Sequence, residues 1–241
     1  MCGRFALDDK VNSAISAFVA QGGRAEDWRP PGWRPNYNIS PTDTVPIVRE
    51  WTDSQTGEIV RQVDPAAWNF RPAWYKRPGV NINARIETVA TTALYKAAFS
   101  ARRALVPMNG YYEWSGPKED RQPFYVHGPD DFLAAAGIYA GVKNDETGEW
   151  AHNFVIITRE ATDASGEIHD RMPAFLTPEV WDTWLQPGEL ADPSAMLDLL
   201  QEVSTDVAGT VTTYPVSKAI NNPRTRDDWS DPGLIEPLPG A

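Results

Sequence analysis

The sequence predicts one α+β domain in which a mixed, largely antiparallel β-sheet curls into a barrel-like core with peripheral helices. Three observations predict it. At 241 residues the chain is long enough to bury a core without dividing, since mixed and all-β domains of this length fold as single units. The middle of the chain is dense in short runs that alternate or stay apolar, at 104–109, 111–115, 123–127, 132–142 and 153–158, with turn residues between them. Helical signals fall on either side of that block, at 8–20, 88–100, 178–185 and 193–203. Hydrophobic residues at 41% and ten tryptophans describe a packed chain and not a disordered one.

The elements follow in order. Asp8 and Asp9 are placed to cap a helix running to about Ala20, with Val11, Ile15, Phe18 and Val19 on one face. Paired glycines and prolines make 21–36 an irregular loop. Strands at 45–51 and 59–63 flank a turn containing Gly57. Aromatic residues, prolines and cations without a period make 68–80 a surface loop, and Asn81 to Arg85 a short strand or extended strip. Beyond the central strands, a polar stretch over 160–169 ends in His169-Asp170-Arg171-Met172-Pro173. Pro178 and Pro193 suit the first turns of two helices. Residues 211–216 form a last strand; the domain spans 1–228, and 229–241 is a Pro/Gly-rich tail.

Met1-Cys2-Gly3-Arg4 carries the most distinctive chemistry. Cys2 is the single cysteine. Methionine is generally trimmed before a small side chain, which would leave a 1,2-aminothiol that an aldehyde can convert through an imine to a thiazolidine. An α-amine titrates at about 7.7–8.0 and a thiol at about 8.5, so roughly a tenth of each is reactive at neutral pH. Such chemistry needs a proton acceptor and a proton donor nearby.

Glu113 lies among apolar and aromatic residues in Gly110-Tyr111-Tyr112-Glu113-Trp114. Burial there would raise its pKa toward the working range of an acid/base group, whereas plain strand alternation would point it to solvent. His169 stands in a constrained polar loop, unlike His127 and His152, which read as structural. Asn83 and Arg85, two apart on an extended strip, share one side. They suit either an amide that positions a terminus beside a phosphate-binding guanidinium or an ordinary polar edge, and Glu87 could hold Arg85.

One cysteine excludes an internal disulfide and a cysteine-rich zinc site, and the three histidines lack ligand spacing, so neither metal nor cofactor is expected. With no basic segment leading into a long apolar run, the expected location is cytoplasmic, without a membrane. The net charge of -11 argues against nucleic acid, but its distribution does not. Residues 71–103 concentrate Arg71, Lys76, Arg77, Arg85, Lys96, Arg102 and Arg103 among Phe70, Trp74 and Tyr75. Rings for bases and cations for backbone are how single strands are held, while a solvated face is the plainer alternative.

Together these segments resemble the SRAP (SOS response-associated peptidase) family of abasic-site processing proteins. The resemblance rests on Met1-Cys2-Gly3-Arg4-Phe5, Tyr37-Asn38 with Pro41, Asn83-Ala84-Arg85-Ile86-Glu87-Thr88, Gly110 to Trp114, Ile168 to Pro173 and Pro215-Val216-Ser217. It implies a monomer, nucleoid-associated when bound, that recognises an abasic site in single-stranded DNA and crosslinks it covalently. Cys2 would form the thiazolidine through a lyase-like imine after Met1 is lost by autopeptidase action or to an aminopeptidase. Asn83 would position the amine, Glu113 transfer protons and His169 open the sugar. Arg4, Arg85 and Arg171 would meet phosphates, with Trp74 and Tyr75 stacking on bases. Asn69 departs from the family's usual glycine. Two rivals remain at this point: an amidohydrolase of the glutamine amidotransferase type, which also begins Met-Cys-Gly, and a non-catalytic nucleic-acid-binding module.

Overall fold

The computed structural model describes residues 2–21, 33–143, 146–161 and 168–240. It contains two sheets meeting along one edge of a barrel. The large sheet is built from β3 (Thr44–Thr52), β4 (Ile59–Ala67), β6 (Arg103–Met108), β9 (Leu133–Lys143) and β10 (Trp150–Glu160). These five run in the order β10-β4-β3-β6-β9 and close because β9 pairs back onto β10, from Trp150↔Lys143 to Ile156↔Gly137. All pairs are antiparallel except β4 on β10. Closure abolishes edges, but β10 outruns its neighbours. Its last residues take β5 (Asn83–Arg85) in parallel and β11 (Arg171–Pro173) antiparallel.

The second sheet is antiparallel throughout, in the order β12 (Thr212–Pro215), β8 (Gln122–His127), β7 (Gly110–Ser115), β1 (Phe5–Leu7), β2 (Asn36–Ile39). The main core fills the barrel and the space between the sheets. Trp68, fully buried, meets Phe5 edge-on at 5.1 Å and stacks parallel to Phe154 at 6.4 Å. On β9 every residue from Leu133 to Ala140 is buried, which explains its continuous apolar run where one solvated face would give alternation.

Helix α1 (Asp9–Gln21) starts where expected: Asp8 Oδ1 accepts from the Lys10 and Val11 amides at 2.9 and 3.2 Å, and Val11, Ile15, Phe18 and Val19 are buried. The helix expected over 88–100 is instead two pieces, α2 (Ile86–Val89) and α3 (Lys96–Ala101). Thr91 breaks it, since both its amide and its hydroxyl bond the Thr88 carbonyl, the local competition by which threonine interrupts helices. Pro178 opens a 3₁₀ turn ahead of α4 (Trp181–Leu185), and α5 (Pro193–Ala208), capped by Asp192, runs past 203. Strands β1, β2 and β11, three or four residues each, were too short to show a period.

Two further expectations are corrected. The 68–80 segment is irregular but not all surface, for Trp68 and Phe70 are buried. The tail from 229 does not extend freely: Trp229 O accepts from Tyr37 N at 2.8 Å, Leu238 N donates to Pro215 O at 3.0 Å, and Leu234 is buried against Tyr37, Tyr112 and Tyr125. The loop expected at 21–36 lies largely outside the described residues.

Gly110 is the backbone position on which the small sheet depends. A Cβ there would stand 2.5 Å from Val126 O and 2.6 Å from the Tyr125 ring, and the first of these atoms is sheet backbone that cannot swing away. Gly110→Ala is therefore expected to destabilise the protein by on the order of 3 kcal/mol, read from urea denaturation. A loss of a few tenths would contradict this packing.

Candidate active site at the junction of the sheets

β1 brings the N-terminal segment to β7 with Phe5 opposite Tyr111 and Ala6 opposite Gly110, and Tyr112 N donates to Arg4 O at 3.0 Å. Continuing that antiparallel register sets Gly3 across from Glu113. From the barrel side, Asn83 of β5 reaches over and its Nδ2 donates to the Cys2 carbonyl at 2.8 Å. Cys2 is thus clasped between the two sheets and fully buried.

Glu113 does not point to solvent. It is 2% exposed, and burial pushes its carboxyl up to about 7, with Asp170 adding to the rise. Burial also holds the Cys2 thiol well above its ordinary value, and the nearby Glu113 charge reinforces this. The thiol, 3.8 Å from Arg4 O, is therefore protonated at neutral pH. Asn83 Oδ1 is buried and has no hydrogen-bond partner among the described residues. It is an acceptor beside the one residue whose backbone its own amide nitrogen already holds.

His169 lies just before β11. Its Nδ1 accepts from Arg171 N at 3.0 Å, which places the proton of the neutral ring on Nε2. The Asp170 carboxylate, 2.8 Å from the same nitrogen, favours the opposite tautomer. Asp170 is 86% exposed and screened by water, so the fixed backbone donor decides. Burial lowers the His169 pKa, in keeping with a neutral ring.

The predicted cations divide. Arg4 sits at the mouth, its Nη1 bonded to Asn38 Oδ1 at 2.8 Å and Ile220 O at 3.0 Å, with its guanidinium over Trp114 at 5.8 Å. Arg85 is exposed at the end of β5. Arg171 is turned inward: it pairs with both oxygens of Glu87, at 2.5 and 3.0 Å, and donates to Thr158 O at 2.6 Å. Glu87 therefore hydrogen-bonds Arg171, while Arg85 acts on it only through its charge. This clamp ties α2, next to Asn83, to the strand that follows His169. Arg103 is also interior, capping carbonyls of Phe99, Ser100, Trp184 and Gln186, so the basic run offers fewer surface cations than its sequence suggests. Trp74 is exposed and meets Tyr75 edge-on at 5.9 Å, but it lines a separate cleft containing none of Cys2, Asn83, Glu113 or His169.

Sequence reasoning missed several neighbours. A depression of about 530 Å³ over Gly3 and Arg4 is walled by Trp114, Lys118, Arg121 and Asn221, with Trp114 Nε1 bonded to Asn221 Oδ1 at 2.7 Å. Trp114 stood in a quoted motif, but nothing in the sequence joined it to Asn221. No group of three metal-ligating side chains occurs among the described residues, and no described helix is long and apolar enough to cross a membrane.

The fold and site define a protein that holds a buried cysteine and a buried carboxyl of raised pKa where a closed barrel meets an antiparallel sheet. The chain belongs to the family described as SOS response associated peptidase (SRAP), whose model matches residues 1–223. It is 29% identical to the abasic site processing protein YedK of Escherichia coli, over 92% of this chain and 95% of that one. It is also 29% identical to the abasic site processing protein HMCES of Xenopus tropicalis, over 93% of this chain and 76% of that one. The fold matches a Bacteroides thetaiotaomicron crystal structure with a TM-score of 0.71 at 20% identity, over 98% of this chain and all of that one. A phage-related protein of Bordetella bronchiseptica matches at 0.61 and 28%, over 90% and 95%.

A buried carboxylate whose native pKa is raised makes stability depend on pH. Below the ordinary carboxylate value, native and unfolded chains both hold the proton. As pH rises, the unfolded chain releases it first while the native chain keeps it to about 7, so stability falls across that window by roughly 3 kcal/mol. Glu113→Gln should abolish this fall, giving a protein more stable than its parent at pH 8 and nearly equal at pH 4. An equal difference at both pH values, measured by urea denaturation, would contradict the assignment.

Proposed function

We propose that the protein processes abasic sites in single-stranded DNA, capturing the ring-opened sugar aldehyde as a thiazolidine on Cys2 once Met1 is removed. The observation that carries this reading is the convergence of Cys2, Asn83 and Glu113, from two sheets and an N-terminal segment, on one buried point. The relatives' names as abasic site processing proteins support it.

Each group then has a task. Asn83 Nδ2 fixes the Cys2 carbonyl, and Asn83 Oδ1, the buried acceptor, receives an N–H of the freed amine. The Nε2–H of neutral His169 hydrogen-bonds the sugar ring oxygen; as the ring C–O bond breaks, the anomeric hydroxyl proton passes through water to that oxygen, leaving an alcohol and the free aldehyde with His169 unchanged. The Cys2 amine adds to the aldehyde carbon. Glu113, poised near neutrality, takes a proton from the amine and returns one to the departing hydroxyl, so that water leaves and an imine forms. Because the buried thiol stays protonated, sulfur acts second: Glu113 accepts its proton, sulfur bonds the imine carbon, and the ring nitrogen takes the proton up. The sum is aldehyde plus aminothiol giving thiazolidine plus one water. In this reading Arg4 and Arg85 meet flanking phosphates, whereas Arg171 would have to exchange Glu87 for one.

A single-stranded oligonucleotide carrying one abasic site should give an adduct that survives denaturing electrophoresis. Cys2→Ala should abolish it, and Cys2→Ser leave at most a labile imine. Asn83→Ala should slow adduct formation about tenfold, the effect of losing one buried hydrogen bond. With Met1 shown absent by intact mass, no wild-type adduct, or release of ammonia from glutamine in its place, would overturn the proposal.

A further inference from the structure

Two of the groups placed around Cys2 are carried by very short pieces of chain. Asn83 begins β5, which rests on β10 through Ile156↔Asn83, Ile157↔Ala84 and Thr158↔Arg85. His169 comes just before β11, which rests on the same strand through Thr158↔Pro173, Arg159↔Met172 and Glu160↔Arg171. Thr158 therefore has β5 on one edge and β11 on the other, and three residues of ladder on each side give little rigidity. One side-chain pair spans the gap. Arg171 reaches past Thr158, donating to its carbonyl at 2.6 Å, and grips both oxygens of Glu87 at 2.5 and 3.0 Å. A bidentate fork fixes direction as well as distance.

Each end of that pair touches the site. Glu87 is in the first turn of α2, directly after the strand whose Asn83 holds the Cys2 carbonyl. Arg171 donates its own amide to His169 Nδ1 at 3.0 Å. The Arg171 side chain is 10% exposed and that of Glu87 50%, so the guanidinium is set into the fold and the carboxylate stands at its rim. An ion pair this buried gives little net stability over apolar replacements, and its worth lies in the geometry it fixes. That geometry decides the state of the imidazole. Burial, the N-terminal charge and Arg171 lower the His169 pKa, while Asp170, 2.8 Å from Nδ1, raises it. With Arg171 N donating, Nδ1 keeps its lone pair and the ring is neutral. With that amide displaced, Asp170 takes a proton on Nδ1 as its partner and favours the imidazolium.

We propose that Glu87 is a positioning residue, which through Arg171 holds Asn83 and His169 in the relative placement that capture of an aldehyde at Cys2 requires. This rests on the abasic-site reading, and the test has two arms that separate the two claims. In the first, without DNA, the His169 ring titration is followed by NMR and assigned against His169→Gln. Glu87→Ala should move it to higher pH, and Glu87→Gln, which keeps one acceptor for the fork, should move it less. In the second, chains lacking Met1 receive a saturating abasic oligonucleotide, and affinity is measured separately with the intact sequence on Cys2→Ala versions. Glu87→Ala should slow adduct formation about tenfold and leave affinity unchanged. Arg171→Lys, which keeps the charge and the amide but loses the fork, should slow it as much, and the double variant no further. Melting curves establish that the variants fold. Folded Glu87→Ala with the parent's titration and rate would overturn the proposal. So would faster capture with tighter binding, since the carboxylate would then only shield Arg171 from phosphate. A parent that forms no adduct would contradict the abasic-site reading, and the NMR arm would still decide whether Glu87 positions His169.

Discussion

The register of β1 on β7 is the constraint on which the rest of the molecule depends. Only with Phe5 opposite Tyr111 does the backbone ahead of β1 pass Glu113 and come within reach of Asn83. The register is held by backbone bonds on both sides, Asn109 N to Ala6 O and Tyr112 N to Arg4 O. It also requires Gly110, because no side chain fits between that residue and β8. A slip of β1 by one residue would turn Phe5 away from Trp68 and shift Cys2 relative to Glu113, whose face is set by β8. The segment that carries Cys2 therefore runs directly into a structural strand, and Phe5 anchors it in the main core against Trp68.

Around that segment the protein buries ionisable and polar groups at a cost to stability. A glutamate 2% exposed, a buried thiol and an amide oxygen with no hydrogen-bond partner among the described residues would each be replaced by apolar groups in a core selected for stability alone. The costs are offset nearby. Arg171 and Glu87 form a bidentate pair that ties β11 to α2, and Tyr112 donates its hydroxyl proton to Tyr37 O at 2.6 Å, joining β7 to β2. Such pairs fix the surrounding backbone, so that in the proposed reaction Asn83 keeps its orientation and Glu113 and His169 the protonation states it uses.

Most of the architecture was legible in the sequence because long strands carry a period. The expected strands at 45–51, 104–109, 111–115, 123–127 and 132–142 correspond to β3, β6, β7, β8 and β9 to within two residues. What escaped depends on contacts distant in sequence. β1, β2 and β11 are strands only because a neighbour pairs with them, and Thr91 interrupts a stretch whose composition favours a helix. Cys2, Asn83 and Glu113 were identifiable as candidates one by one, but Asn83 meets Cys2 across 81 positions. Nor could spacing reveal that Arg171 spends its charge on Glu87, 84 positions earlier, or that Arg103 turns inward to cap helices. A cation in sequence is a candidate for phosphate; only the fold shows whether a carboxylate or a carbonyl has already taken it.

The proposed reaction joins amine and sulfur of one residue in a single ring with the captured aldehyde, and one measurement tests this most directly. Protein incubated with an abasic oligonucleotide is treated with a thiol-alkylating reagent under denaturing conditions and weighed intact. The expected species lacks Met1, has the mass of protein plus oligonucleotide less one water, and takes up no alkyl group, because sulfur is locked in the thiazolidine. An adduct of that mass that still alkylates at Cys2, or one that retains Met1, would contradict the account.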